Sequence, residues 1–254
     1  MPNGGRDLRP ASLRQKLLNP KYIMVYATIG IFLLTYLVGA ILYGDKGFTT
    51  LRTFLILFVD NAYIGISAVG MTMVLITGGI DLSVGAVASL TGMIIAFGNT
   101  ELGLDPFVCI GIALIYGVGL GLTMGAMIHY LNVPPFITTL TGMFLSRGIC
   151  ALISRNSIAI NNAVFDAIAS WRWKIPNIKP TAYINFNMLL FLFMILLGAY
   201  LLQKTRFGRN VYAIGGNEQS AKLMGLPVAR TKILVYGFNG LCSVLAGVAY
   251  ALYI

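Results

Sequence analysis

The stretch that decides the fold lies between two long apolar runs. It reads Gly78-Gly79-Ile80-Asp81-Leu82-Ser83-Val84-Gly85. Adjacent glycines end a helix readily, because glycine adopts backbone angles that other residues avoid. We expect Gly78 and Gly79 to end one helix, and Asp81 or Ser83 to cap the next. The break has two interpretations: a capped hairpin at a membrane surface, or a discontinuity beside a transport pathway.

The composition indicates a protein that crosses a membrane several times. Of 254 residues, 57% are hydrophobic and 10% are charged, and the mean hydropathy is +0.82. Soluble domains carry roughly 25% charged residues. The net charge of +10 does not predict nucleic-acid binding, because the basic residues lie between apolar runs and fit membrane topology. We therefore predict an all-α fold, a polytopic membrane helical bundle.

The chain divides into a polar N-terminal arm, residues 1–21, and a membrane domain, residues 22–254. An apolar run of about 20 residues suffices to cross a bilayer. About seven spans are predicted, at 22–42, 54–77, 82–97, 106–131, 136–154, 186–202 and 233–254. With a cytoplasmic N-terminus, an odd number of spans leaves the C-terminus outside, directly after an apolar residue and without a polar anchor. We therefore expect a truncated product or a fragment.

Basic residues indicate the orientation of the spans. Lys and Arg are concentrated in the arm and in residues 203–232. Cytoplasmic loops carry such an excess. We therefore expect a cytoplasmic N-terminus, with membrane lipids around the bundle and the acidic loop 98–105 outside.

Polar side chains within the spans are the candidate functional residues, because such groups usually face the bundle interior and pair or line a path. They are Asp60, Asn61, Asp81, Arg147 and Asn239. Arg147 lies about 17 Å into its span at 1.5 Å per residue. We hypothesise a buried ion pair between Arg147 and either Asp60 or Asp81. Such a pair would serve transport or only set the helix register.

The predicted translocation core lies around the break. Its members are Asp60, Asn61, Gly78, Gly79, Asp81, Ser83 and Arg147. A second feature, Gly117, Gly121 and Gly125, puts three glycines on one face of the fourth span. Small residues let a neighbouring helix approach closely. We therefore interpret these glycines as packing residues and not as substrate contacts.

The polar segment 203–232 carries the signals of a short helix. Asn217 is placed to cap a helix that begins at Glu218, and Gly225 with Pro227 is placed to end it. A two-turn helix flanked by basic residues suits docking on a soluble partner. The alternative is an ordinary positively charged connector.

The sequence carries no catalytic or metal-binding constellation. The lone histidine, His129, lies near a helix end, and Cys109, Cys150 and Cys242 lie within apolar segments, where we expect buried thiols. No Gly-x-x-x-x-Gly-Lys-Ser/Thr phosphate loop occurs. We predict no enzyme activity, no cofactor and no metal, so any ATP that powers transport must bind to another subunit.

Two segments resemble the permeases of bacterial ABC importers for monosaccharides of the ribose, xylose and galactose type. The stretch 78–85 resembles the family's hallmark segment, and Thr205-Arg206-Phe207-Gly208 through Gly225 resembles its cytoplasmic coupling loop. Residues 135–140 and Arg147-Gly148 are also similar. Within the family, Asp60-Asn61-Ala62 and Ala159-Ile160-Asn161 look most like the galactofuranose permease.

The resemblance implies a subunit of the bacterial inner membrane that imports a monosaccharide by alternating access. Permeases of that family continue for several more spans, so the resemblance also implies a chain truncated before the second half of the family fold is complete. Its implied partners are a second permease subunit, identical or different, two ATP-binding subunits and a periplasmic sugar-binding protein. The implied ATPase-coupling residues are Gly216, Asn217, Glu218, Ala221 and Gly225. Two alternatives remain: an ion-coupled secondary transporter with Asp60 or Asp81 as its ion site, and a non-transporting membrane scaffold.

Overall fold

The computed structural model describes residues 20–160, 162–176 and 181–253. The predicted N-terminal arm lies outside the described residues except at its last two positions, and Asn161 also lies outside them. The described helices are α1 (Pro20–Tyr43), α2 (Leu51–Asp60), α3 (Ala62–Ile76), α4 (Val84–Thr100), α5 (Pro106–Tyr130), α6 (Pro135–Ile153), α7 (Ala163–Ser170), α8 (Phe186–Lys204), α9 (Arg206–Gly216), α10 (Glu218–Leu223) and α11 (Val228–Ala251). A short antiparallel hairpin joins β1 (Arg172–Lys174) to β2 (Tyr183–Asn185).

The chain forms two compact units that meet in sequence at Phe54. The N-terminal unit contains α1 and a 3₁₀ turn at Gly44–Lys46. Within it, a side chain at Gly39 would meet the ring of Phe48, with Cβ 2.7 Å from Cζ. The second unit, Leu55–Ile254, holds the helices that form the bundle and all of the candidate functional residues.

The described helices agree with the predicted membrane bundle. Five are long and apolar enough to cross a membrane: α1 with the turn that follows it, α5, α6, α8 and α11. Helices α2 and α3 make a sixth span if they are taken together. Helix α4 is also apolar but has only 17 residues. The all-α polytopic prediction is confirmed.

The helices differ from the predicted spans in three places. The second span is bent by 58° between α2 and α3, at Asn61. The Asn61 Nδ2 donates to the carbonyl of Leu57 at 2.8 Å, and such a local side-chain bond competes with the helix ladder. The last span begins at Val228, five residues earlier than predicted, and α9 occupies part of the predicted connector.

Helix α11 forms the centre of the second unit. Two thirds of its apolar window, 67%, is buried, against 22–28% for α5, α6 and α8. Its buried residues include Val235, Tyr236, Val244 and Ala246. In a bilayer these residues stabilise the bundle through close van der Waals packing, because lipid tails are as apolar as the side chains themselves. The packing of α3, α4 and α5 on α11 therefore holds the bundle together.

The three spaced glycines of α5 lie against α11. A Cβ on Gly121 would overlap the carbonyl oxygen of Tyr236, and one on Gly117 would overlap Val244. At Gly125 the Cβ would lie 2.7 Å from the Cα of Ile233. The two backbones are therefore in direct contact along this face, the arrangement that small residues at helix interfaces permit.

Candidate functional site

The break between α3 and α4 is closed by two backbone hydrogen bonds. The Gly78 N–H donates to the carbonyl of Leu75 at 3.0 Å, and the Gly79 N–H donates to that of Val74 at 3.0 Å. Gly78 has a φ of +76°, which other residues rarely adopt. The glycine pair thus ends α3 in the way that helices commonly end.

Asp81 ties the break to the central helix. Its side chain is 5% exposed. One carboxylate oxygen accepts from the Ser83 N–H at 2.8 Å and from the Ser83 hydroxyl at 2.6 Å. The other oxygen accepts from Nδ2 of Asn239 at 2.7 Å. A buried charge is tolerated when hydrogen bonds satisfy it, and here three donors do so.

The predicted helix cap at this position is wrong. Ser83 occupies the N-cap position of α4, but its side chain makes no capping bond. Asp81 bonds the N–H of Ser83 itself, which precedes the first turn of the helix. The Ser83 hydroxyl bonds Asp81, and Asp81 also bonds Asn239, so neither side chain reaches the free N–H groups of α4.

Asn239 and Tyr236 belong to this cluster although they were not assigned to it from the sequence. Asn239 is fully buried, and its Oδ1 has no hydrogen-bond partner among the described residues. The Tyr236 hydroxyl lies beside Gly79 and donates a long, 3.4 Å bond to the carbonyl of Ile80. Their i, i+3 spacing puts both on one face of α11. That spacing was the signal available in the sequence.

The hypothesised ion pair of Arg147 is absent. Arg147 is exposed on α6, and Glu218 with Lys232 is the only ion pair within the part of the chain that the structure describes. Asp81 needs no cation, because neutral donors already occupy both of its oxygens. Asp60 lies beyond the other end of α3, whose 15 residues span about 22 Å.

Asp60 instead lines a cavity of about 1040 Å³. The cavity lies between the end of α2, the part of α4 from Ser89 to Ala96, residues 157–160, helix α7, the two strands, the start of α8 and the end of α11. Its polar lining includes Asp60, Ser89, Asp166, Arg172, Asn185 and Asn187. The predicted translocation core is therefore divided between the break, this cavity and the exposed face of α6.

The polar connector folds into two helices with separate caps. Thr205 Oγ1 accepts from the Gly208 N–H at 3.2 Å at the start of α9. Asn217 Oδ1 accepts from the Ser220 N–H at 2.8 Å at the start of α10, and Gly225, with a φ of +73°, follows its end. Helix α9 was not predicted, although the i, i+3 spacing of its buried Val211 and Ile214 indicates it.

Helix α10 is held firmly but exposes an apolar tip. Ala221 is fully buried and packs with Ile214 and Val228. Glu218 pairs with Lys232 of α11 at 2.6 Å. At the other end, the exposed fraction of Leu223 is 90% and that of Met224 is 68%. Ala221 therefore supports the loop, and its side chain is not available to a partner.

The connector also contacts the last turn of α3 just before the break. A Cβ on Gly215 would overlap the carbonyl oxygen of Ile76. The backbones of α9 and α3 therefore touch at this point. Ile76 lies five residues before Asp81, so α9 contacts the chain close to the break.

The titratable groups suited to chemistry are dispersed. Among the described residues, no group of three or more His, Cys, Asp or Glu could hold a metal ion. His129 stacks edge-on against Tyr130 at the end of α5. Cys109 and Cys242 are buried, Cys150 is half-buried, and all three are free thiols.

Comparisons with known proteins identify related chains. The family model described as branched-chain amino acid transport system / permease component matches residues 53–254. YjfF, an inner membrane ABC transporter permease protein of Escherichia coli K12, is 42% identical over 89% of this chain and 67% of its own length. The fructose import permease protein FruG of Bifidobacterium longum is 36% identical over 92% of this chain and 68% of its own.

A third relative is the ribose import permease protein RbsC of Escherichia coli K12, 32% identical over 80% of this chain and 62% of its own. The chain thus spans about two thirds of the length of these relatives. No solved structure matches it.

Proposed function

The chain belongs to the permease family described as the branched-chain amino acid transport system permease component, and from this premise we propose that it is the membrane subunit of an ATP-driven importer that moves a monosaccharide inward. The relatives named for fructose and ribose import support the sugar class. The N-terminus is cytoplasmic in this proposal, and the galactofuranose-like segments make galactofuranose the first sugar to test. ATP hydrolysis belongs to a partner subunit.

The observation that carries the proposal is the exposed apolar tip of α10. Leu223 and Met224 are exposed next to Lys222, at the end of a helix fixed by the Glu218–Lys232 pair and by buried Ala221. Two exposed apolar side chains on a fixed helix, beside a lysine, are suited to bind in a pocket on a soluble partner. We assign that partner as the ATP-binding subunit.

The contact between Gly215 and Ile76 supplies a route from this partner to the pathway. Movement of α10 displaces α9, which abuts the last turn of α3. The turn leads into the break, where Asp81 holds α11. ATP hydrolysis in the partner would thus tilt α3 against α11 and open the bundle alternately to each side.

Arg147 has a place in the same proposal. An exposed guanidinium within an apolar span is costly in lipid. Its neighbours on α6, Phe144 and Leu145, are exposed large hydrophobic residues. We propose that this face of α6 contacts a second permease subunit, with the Arg147 guanidinium turned toward the polar pathway between the two.

Exchanging Leu223 and Met224 for aspartate is expected to weaken capture of the ATP-binding subunit about tenfold or more, because the apolar contact is replaced by two charges. The measurement is co-purification from membranes that contain the whole transporter. Leu102→Asp is the matched control, since Leu102 is also an exposed leucine, 59% exposed, on the turn before α5. It is far from α10, because α10 lies near the opposite end of α5, where His129 and Lys222 line one pocket. Unchanged capture by the double variant contradicts the docking assignment.

Gly215→Ala is expected to reduce sugar uptake about tenfold while the ATP-binding subunit still co-purifies. The added methyl overlaps the Ile76 carbonyl and forces α9 away from α3, but the tip of α10 is unchanged. Gly119→Ala on α5 is the matched control, because it makes the same change at a helical glycine whose Cβ would meet nothing within 4 Å and which is not among the implied coupling residues. Equal uptake by the two variants would rule out the α9–α3 contact as the coupling route.

The ion-coupled alternative receives no support from Asp81, whose oxygens are occupied by N–H and O–H donors. Uptake measurements distinguish an ATP-driven sugar importer from an ion-coupled transporter. The proposal expects sugar uptake that requires the ATP-binding subunit. Uptake of L-leucine in its place would assign the amino acid class named by the family description, and uptake driven by sodium or protons alone would overturn the proposal.

A further inference from the structure

The 1040 Å³ cavity is located at the end of the bundle remote from α10. The break lies at the start of α4, whereas the cavity is lined by Ser89, Gly92, Met93 and Ala96 in the rest of that helix. Its volume slightly exceeds the roughly 300–1,000 Å³ of ligand sites. It is therefore large enough for a small polar molecule with some of its hydration.

Hydrogen-bonding groups are concentrated in this cavity. Asp60 and Asp166 offer carboxylate oxygens, and Arg172 offers a guanidinium whose carbon lies 4.8 Å from the centre of the Tyr183 ring. Asp60, Asp166 and Arg172 form no ion pair within the part of the chain described. These charged groups therefore remain available to a ligand.

Asn187 adds an acceptor that the protein leaves unpaired. Its side chain is 4% exposed, and its Nδ2 donates to the carbonyl of Ala249 at 2.9 Å. That bond fixes the amide, yet Oδ1 has no partner among the described residues. An unpaired buried acceptor costs about 1–3 kcal/mol, which a hydroxyl donor from a ligand would recover.

The combination matches a neutral sugar better than an aliphatic amino acid. Carboxylate and amide oxygens accept from hydroxyls, and the guanidinium donates to them. The rings of Tyr183 and Tyr250 line the same space, with the Arg172 guanidinium over the Tyr183 ring and Tyr63 packed against Tyr250. A branched aliphatic side chain would instead leave Asp60 and the Asn187 acceptor facing hydrocarbon, which is unfavourable.

The exposed face of α4 connects the cavity with the break. Gly85, Ser89 and Gly92 follow one another along it, and a Cβ at either glycine meets nothing within 4 Å. The face therefore has open space along its length. It leads from the cavity lining at Gly92 to the first turn of α4, next to Asp81 and Ser83.

We propose that this cavity binds a monosaccharide at the entrance of the pathway, with Asp60, Asp166, Arg172 and Asn187 as the groups that hold its hydroxyls. The inference rests on the proposed function, because it names a sugar site within the importer. It assigns Asp60 to substrate binding and leaves the break as the moving element.

Blocking the cavity tests the site in the assembled transporter. Gly92→Leu places a side chain in open space on the cavity wall and is expected to reduce uptake of the transported sugar about tenfold or more. Gly111→Leu is the matched control: it is also a helical glycine without a neighbour within 4 Å, and it does not line the cavity. Equal uptake by the two variants overturns the proposal.

A labelling experiment tests binding without transport. In the solubilised complex, Ser89→Cys places a thiol in the cavity wall, and its reaction with a maleimide is followed with the parent chain as background for the three native cysteines. The probes are D-ribose, D-xylose, D-fructose and D-galactose, with L-leucine for comparison. We expect one sugar to slow labelling about threefold or more, and Asp60→Asn to remove that protection. Protection by L-leucine alone, or by no probe, overturns the sugar assignment.

A wrong function and a wrong cavity assignment give different experimental results. If the proposed function is wrong, the unaltered transporter takes up no sugar and captures no ATP-binding subunit. If only the cavity assignment is wrong, the unaltered transporter imports sugar, Gly92→Leu imports it equally well, and Ser89→Cys is labelled at the same rate with and without sugar.

Discussion

Replacing Gly121 by valine is expected to lower the free energy of unfolding by about 3 kcal/mol or more. A Cβ at this position overlaps the carbonyl oxygen of Tyr236 in the buried centre of the bundle. No rotamer change relieves an overlap with backbone, so α5 and α11 must separate along their glycine face. Overpacking of a dense interior typically costs about 1–3 kcal/mol, and a backbone contact lies at the upper end or above it.

The measurement is thermal unfolding of the purified protein in detergent, followed by the loss of its monodisperse elution peak. Gly119→Val is the matched control, because it makes the same change two residues earlier on the same helix, where a Cβ meets nothing within 4 Å. The control is expected to unfold close to the unaltered protein. Similar unfolding temperatures for both variants would show that the helices do not meet along Gly121.

Replacing Asp81 by leucine is expected to destabilise the protein by about 3 kcal/mol or more and to abolish uptake. The change removes the acceptors of the Ser83 N–H, the Ser83 hydroxyl and the Asn239 amide, all within the buried core. Each buried donor left without a partner costs about 1–3 kcal/mol. The link between the break and α11 is lost with them.

A reciprocal exchange separates the hydrogen bond from the charge. Asn239→Asp alone sets two carboxylates against each other and is expected to be as damaging as Asp81→Leu. Combining it with Asp81→Asn restores one donor and one acceptor at the same separation. We expect the double variant to recover at least half of the lost stability, giving a coupling of about 1–3 kcal/mol between the two sites.

If the stability losses of the two single variants simply add in the double variant, the direct bond between Asp81 and Asn239 is contradicted. Uptake by the single variant Asp81→Asn then decides the role of the charge. This variant keeps an oxygen for Ser83, and the Asn239 amide can turn to pair with it. Normal uptake in that variant would assign the break a structural role, and lost uptake with normal stability would place the charge itself in the transport cycle.

Much of the fold could be predicted because the signals are local. A run of about 20 apolar residues requires a span whatever surrounds it, and this located the helices now called α1, α5, α6 and α8 within a few residues. Local turn chemistry was equally informative. The glycine pair ends α3, and Asn217 caps α10, because each depends on residues less than one turn away.

The candidate site was predicted less well because its members are distant in sequence. Asp81 and Asn239 are 158 positions apart, and several polar side chains in the spans could have met Asp81 equally well on composition alone. The assumption that a buried carboxylate needs a cation favoured Arg147. The structure satisfies that carboxylate with neutral donors and leaves Arg147 exposed.

The sequence by itself determined the class of the protein, the approximate spans, the helix break at 78–83 and the capped helix at Glu218, since hydropathy and turn chemistry are properties of contiguous residues. Only the tertiary structure decided that α11 is the central helix, that Asp81 bonds Asn239, and that Asp60 lines a cavity instead of the break. The reason is physical: the partner of a buried polar group depends on which helix faces pack together, and packing is set by the shapes of all the helices at once.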